Sequence, residues 1–498
     1  MKKQKFLSLA LVCLAASCAP GSNTGDSQAV ASTSTGTNNS NETIVVPFWH
    51  TFGQKVKKAV DAKAEQFEKL ILDNTGVKVK IDVQNTTGTT YDTIHDNIEK
   101  SFSTNATPSL AIAYPDHVAD YLAADSSYVY DISSFVNDSE IGFGKQSYLG
   151  DSASYGASDF VSSFWAEGTT YPQEGRYSIP FLKSSEAMIY NREAVLKGFS
   201  YFDSSVATAQ EAEDALSSMS WSRFMEFCQS IYEHKADIMP DMKSVAFYDS
   251  DSNLFISKLY QEEIPYAHAE NGKGVIDFES GEARTKAESL VSTLRDEYDA
   301  HLLTTKAIEG TYGSSGFKNM EYVFCIGSTG GTGYSIPTST ETFHVDAVTV
   351  PSSSSNEDND SLYISQGPTL AILRNPSLSK EENDKRARYA FQFAKFLTNP
   401  DNNVEMAFNS EGYIPVRKSA YATKNYLAYL ADDTDTTVRI AKLLTNDIQG
   451  KYIVQDVFKG SAALRTAVGG IMADVCIGSR VNVSTELSNV INAAKAKM

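Results

Sequence analysis

The residues able to do chemistry in this chain are dispersed rather than grouped. Its seven histidines share no short spacing, and neither a His-Glu-x-x-His pair nor a nucleophile elbow occurs. Gly327-Ser328-Thr329-Gly330-Gly331-Thr332-Gly333 is rich in glycine but lacks the Gly-Lys-Ser/Thr ending that holds nucleotide phosphates. Hydrolysis needs a poised acid, base or nucleophile, and no constellation of that kind is present. Cys228, Cys325 and Cys476 are an odd set without close spacing, which excludes a disulfide framework or a zinc knuckle and reads as buried single thiols. What remains are polar residues just after predicted strands, where open α/β sheets place ligands. The chemistry expected is capture rather than turnover, with no catalytic residue, metal or cofactor.

The elements that must position those residues alternate between strand and helix. Ile44–Trp49 is a short strand, residues 54–72 carry Val56, Val60, Ala64, Phe67 and Ile71 at helical spacing, and 77–83 alternates as a strand. Tyr91–Phe102 reads as a helix, Ser109–Tyr114 as a buried strand, and 187–191, 322–326 and 370–373 as further strands. Helices are expected around 208–234 and 280–303, and over Glu381–Thr398, where Asn399-Pro400 stops the last one. The strands separated by helices over residues 44–114 predict an α/β lobe with a mainly parallel sheet. A chain of 498 residues with 42% hydrophobic side chains is too long for one core, so two lobes are expected.

The N-terminus sets the compartment. Lys2, Lys3 and Lys5 precede a short apolar core, Phe6–Ala16, too short to span a bilayer, and Leu-Ala-Ala-Ser leads into Cys18. That layout resembles a bacterial lipobox. It predicts a signal peptide over 1–17, lipidation of Cys18, and attachment to the extracytoplasmic face of the cell membrane. Residues 18–43, mostly Ser, Thr, Asn and Gly, form a tether with a reach of roughly 25–30 Å. Net charge is −19, and about −22 without the three leader lysines, which disfavours nucleic acid and anionic membrane surfaces as partners. A local cation or a helix N-terminus can still hold an anionic small ligand against that field.

Six blocks, in order over residues 44 to about 475, resemble the extracytoplasmic solute-binding proteins of sugar-type ABC importers, most closely their glycerol-3-phosphate-binding branch. They are Pro47–Thr51; Ile179–Ser185 continuing into Ile189-Tyr190-Asn191; Cys325–Gly331; Ser365–Leu370; Ala394–Leu397 with Asn399-Pro400 and Gly412–Pro415, then Lys418 and Tyr421; and Lys459–Ala462 with Arg465.

The resemblance implies a two-lobed α/β, periplasmic-binding-protein-like fold with a ligand cleft between the lobes. The expected division is 44–180 and 327–375 in the first lobe, with 181–326 and 376–498 in the second. It also implies ligand contacts by Tyr91, Ser184, Ser328, Gly367, Tyr413 and Arg465, the last as a forked donor to phosphate or carboxylate. Asp116 stands one place beyond the position of the branch's acidic contact. Where the branch carries paired tryptophans this chain has Val245–Asp251, so Tyr248 is a candidate replacement ring, and His50 a further candidate cleft residue. The partners implied are a glycerol phosphate or sugar and the permease subunits of an importer, with the protein itself a monomer. A neutral mono- or oligosaccharide remains an alternative ligand, and a surface adhesin or structural lipoprotein an alternative role.

Overall fold

The computed structural model describes residues 42–498 except 86–89, 105, 339–342, 354–361, 411 and 433–434. The signal peptide, Cys18 and nearly all of the tether lie outside the described residues. From Thr43 to Met498 the chain forms one compact unit containing two five-stranded sheets and a hairpin.

The first sheet is built from β1 (Ile44–His50), β2 (Val79–Asn85), β3 (Leu110–Ala113), β4 (Ile179–Pro180) and β12 (Thr369–Ile372), in the order β2-β1-β3-β12-β4. Its first three strands are parallel, joined by the helices α1 (Gln54–Thr75) and α2 (Tyr91–Thr104). Alternate β1 residues Val46, Phe48 and His50 are buried, and α1 buries Val56, Val60, Ala64, Phe67 and Ile71 at the predicted spacing. It stops at Gly76, whose left-handed conformation lets its N–H return to Leu72 O at 2.9 Å. The second sheet has the order β11-β5-β10-β6-β9, from β5 (Glu186–Asn191), β6 (Ala246–Tyr248), β9 (Leu303–Thr305), β10 (Phe324–Ser328) and β11 (Val345–Val348). A hairpin, β7 (Ala267–Glu270) with β8 (Lys273–Ile276), stands apart.

Both sheets are mixed, and the first is therefore not mainly parallel as expected. β12 runs antiparallel to β3 and β4, and β5 antiparallel to β10 and β11. The reversed strands are those adjoining the places where the chain passes from one sheet to the other.

The expected lobe boundaries need correction. Residues 327–375 do not all belong to the first lobe, because β11 pairs with β5 in the second. Nor does 376–498 belong wholly to the second. Helix Lys380–Leu397 packs on the first sheet, with Phe393 edge-on to Phe48 at 6.1 Å and Phe396 against Phe67 at 5.7 Å. The chain crosses instead at 181–185, at 363–368, and after helix Pro400–Phe408, where Ile414 exchanges backbone hydrogen bonds with Lys183. Ser184 and Gln366 likewise exchange theirs at 3.0 and 2.9 Å, so the three crossings lie side by side. Beyond them, helix Thr436–Lys442 returns to the second sheet, Thr436 donating to Val345 O at 2.9 Å. Cys228, Cys325 and Cys476 are buried free thiols. Among the described residues no helix is long and apolar enough to cross a membrane.

Candidate ligand-binding cleft

Strand ends and helix starts converge where the two sheets face each other. β3 ends into Tyr114, and Pro115 opens helix α3 (Pro115–Ala124), a position where its missing N–H costs nothing and Asp116 falls in the first turn. From the other side, helix Ser461–Val468 carries Arg465 and lies beside Asp251–Gln261; at its start Gly460 N–H donates across to Asp120 Oδ1 at 3.0 Å. Tyr114, Asp116 and Arg465 together line two cavities.

The inner cavity, about 100 Å³, is closed below by Glu167, Lys183, Gln366 and Gly367 and flanked by Tyr266 and Gln455. The outer one, about 470 Å³, adds Asp92, His117, Asp249, Asp251 and Lys306. A third cavity of about 540 Å³ lies against Tyr413 and is lined by Tyr334, Phe408, Tyr426 and Tyr429.

Three tyrosines join these spaces. Tyr91, opening α2, lies with its ring 4.3 Å from that of Tyr114, and its hydroxyl is 3.3 Å from the Tyr413 hydroxyl. Burial raises the pKa of all three phenols, so they stay neutral and can both donate to and accept from a ligand's oxygens. Arg465 donates to Asn253 Oδ1, and among the described residues it has no carboxylate within ion-pair distance. Its charge is therefore oriented without being neutralised. Asp249 and Asp251 are spent partly on backbone, accepting from Gly313 N–H at 2.8 Å and Ala307 N–H at 2.9 Å, and burial raises the pKa of both.

Of the residues singled out in the sequence, Tyr91, Asp116, Tyr413 and Arg465 gather at this cleft, and Gly367 lies on its floor. Gly367 has φ +99°, and a Cβ there would stand 2.3 Å from Leu182 O. The glycine is required by the crossing backbone itself. Ser184 is buried in the crossing ladder and lines none of the three cavities. Ser328 also stays off their walls: its Oγ accepts from Gly330 N–H at 3.3 Å, capping the short helix Thr329–Tyr334 against which Tyr413 packs.

Two candidates are corrected. His50 is not a cleft residue but sits in the first core, stacked on Phe52 at 5.5 Å, with Nδ1 accepting from Phe52 N–H at 3.1 Å. Burial lowers its pKa to about 4, so the imidazole is neutral. Tyr248 is fully buried and stacks no ligand; its hydroxyl donates to Glu186. The residues missed were Tyr114, Lys183, Glu167, Gln366, Tyr266 and Lys306. Tyr114 carried a usable signal, standing at the end of a buried strand beside Asp116. Lys183 and Glu167 carried none, since their pairing joins positions 16 residues apart through tertiary contact.

A body of two sheet-centred lobes, with hydroxyls, carboxylates and an unneutralised arginine converging between them, defines a receptor for a small polar solute. The chain belongs to the bacterial extracellular solute-binding protein family, which it matches over residues 62–452. No curated protein matches it.

Several solved structures share the fold. The GacH receptor of Streptomyces glaucescens, solved unliganded and with acarbose, is 17% identical over 91% of this chain and 97% of its own, with a TM-score of 0.62. UgpB of Mycobacterium tuberculosis, in complex with glycerophosphocholine, is 17% identical over 91% and 97%, TM-score 0.61. The cyclic alpha-maltosyl-1,6-maltose binding protein of Arthrobacter globiformis is 15% identical over 91% and 99%, TM-score 0.63.

Proposed function

We propose that this chain is the solute-binding component of an ABC importer, capturing glycerol-3-phosphate or a related glycerophospho-compound as the lobes close. The observation that carries the reading is Arg465, held by neutral Asn253 in the cleft wall with no carboxylate partner among the described residues. A forked guanidinium so placed makes two charge-assisted bonds to phosphate oxygens, while Asp116 and the tyrosine hydroxyls serve the glycerol hydroxyls. The protein is then a membrane-anchored lipoprotein on Cys18, acting as a monomer with its permease, and intact-mass analysis of the native protein tests the diacyl or triacyl cysteine.

A second reading, a neutral mono- or oligosaccharide, is favoured by the acids Asp116, Asp249 and Asp251 lining the same outer cavity. Calorimetry separates the two with sn-glycerol 3-phosphate, glycerophosphocholine and maltose on wild type and Arg465→Ala. The phosphate reading expects loss of roughly thirty-fold or more in affinity for the phosphate ligands on truncation, the cost of breaking a desolvated charged pair. Unchanged affinity removes Arg465 from the site, and binding of maltose alone puts the saccharide in the phosphate's place. An adhesin would show no ligand-induced thermal shift with any of the three.

A further inference from the structure

Arg465 is aimed by something that does not itself reach the cleft. Behind it stands Asn253, 0% exposed, whose Oδ1 receives the guanidinium and whose Nδ2 donates to Glu186 Oε1 at 2.7 Å. Glu186, 3% exposed at the start of β5, receives the Tyr248 hydroxyl on its other oxygen. An amide side chain can be turned either way, and one pointing its NH₂ at a guanidinium would repel it. An ionised carboxylate behind the amide accepts only, so it draws the NH₂ inward and leaves the carbonyl facing Arg465.

We propose that Glu186 is the positioning residue of the binding site, fixing Asn253 so that its carbonyl orients Arg465 toward the anionic group of the ligand. The link to ligand rests on the reading of Arg465 given above; the link from Glu186 to Arg465 does not.

Two further observations fit. Tyr248 is stacked 6.5 Å from Trp221, whose Nε1 is anchored on Gln261 at 2.8 Å, so the hydroxyl that pins Glu186 is held by packing and not by solvent. Glu186 is also far from ordinary for a carboxyl: burial raises its pKa to about 7, offset by the hydrogen bonds from Tyr248 and Asn253 and by the charge of Arg465. Among the described residues Glu186 has no ion pair, and its side-chain donors are Tyr248 and Asn253.

The test reads Arg465 directly. In unliganded protein with ¹⁵N-labelled arginine, assigned through Arg465→Lys, the Arg465 Nη2–H signal, the donor to Asn253 Oδ1, is expected to be ordered and slow to exchange. Glu186→Leu and Asn253→Ala should each speed that exchange roughly tenfold or more, as expected for losing one hydrogen bond to a charged group. Glu186→Gln should preserve the signal, because its carbonyl can still accept from Asn253 while its NH₂ donates to the Tyr248 oxygen. Affinity for sn-glycerol 3-phosphate should follow the same order.

The unmodified protein gives a check that needs no folded variant. The Glu186 carboxyl ¹³C signal and the Arg465 Nη2–H signal should shift over the same pH range. The groups facing Glu186 are Tyr248, Asp249, Asn253 and Arg465. An Arg465 signal indifferent to Glu186→Leu, a Gln variant as damaging as Leu, or separate pH midpoints would overturn the proposal. Wild type that ignores sn-glycerol 3-phosphate while Arg465 still answers to Glu186 would overturn only the ligand reading.

Discussion

Replacing Lys183 by methionine isolates the ion pair beneath the cleft. Lys183 reaches Glu167 with side chains 1% and 9% exposed, and its Nζ also lies 3.4 Å from Gly367 O. Among the described residues the Glu167 carboxylate has one other side-chain partner, the Ser365 hydroxyl. Methionine keeps most of the lysine's volume, so the change removes charge rather than packing and leaves Glu167 buried without a counter-charge. Breaking a buried pair from one side typically costs about 3–5 kcal/mol. Both residues line the inner cavity, where water can reach the orphaned carboxylate, which points to the lower end, about 3 kcal/mol.

Urea unfolding of wild type, Lys183→Met, Glu167→Gln and the double variant gives the cycle. The double variant should recover at least half of the single Lys183 loss, since a neutral pair no longer strands a charge. A Lys183→Met loss below about 1 kcal/mol, or a double variant no better than the single, would refute the reasoning. Because Lys183 also bridges Ile414 through its backbone, its circular dichroism should stay native while the unfolding midpoint moves.

Two further outcomes follow from the same neighbourhood. Glu186 binds its proton more tightly folded than unfolded, so its contribution is fully present below about pH 4.5 and is lost as pH rises through about 7, a change of about 3 kcal/mol. Glu186→Gln should therefore gain on wild type between pH 5 and pH 8 in urea unfolding, and a pH-independent difference would contradict the assignment. Gly367→Ala should lower the unfolding free energy by about 2 kcal/mol or more, because φ +99° strains any side chain and its Cβ meets backbone at Leu182 O that cannot yield; an unchanged unfolding free energy would refute it.

Much of this molecule was legible along the chain. The burial periods of β1 and α1 appear in the sequence as apolar residues two or three to four apart, and local periodicity survives folding unchanged. The turn after β3 announced Asp116, because a polar residue following a buried strand has few places to go except the cleft. His50 follows its strand in the same way and yet is buried. What lies above a strand end depends on the layer packed over it, here Phe52 and Phe181.

Lobe membership after residue 326 was equally hidden. β11 and β12 are both four-residue strands, and nothing in either says which sheet will accept it. That choice is made by the crossing ladder of Ser184 with Gln366 and Lys183 with Ile414, contacts between residues more than 180 positions apart. The sequence by itself determined elements with a clear local period, such as β1, α1, β2 and α2, because that period depends on neighbours a few places away. Only the tertiary structure decided that Tyr248 serves Glu186, that Lys183 pairs with Glu167, and that Arg465 stands in the cleft unneutralised. Hydrogen bonding and desolvation act over a few ångströms of space and carry no record of distance along the chain.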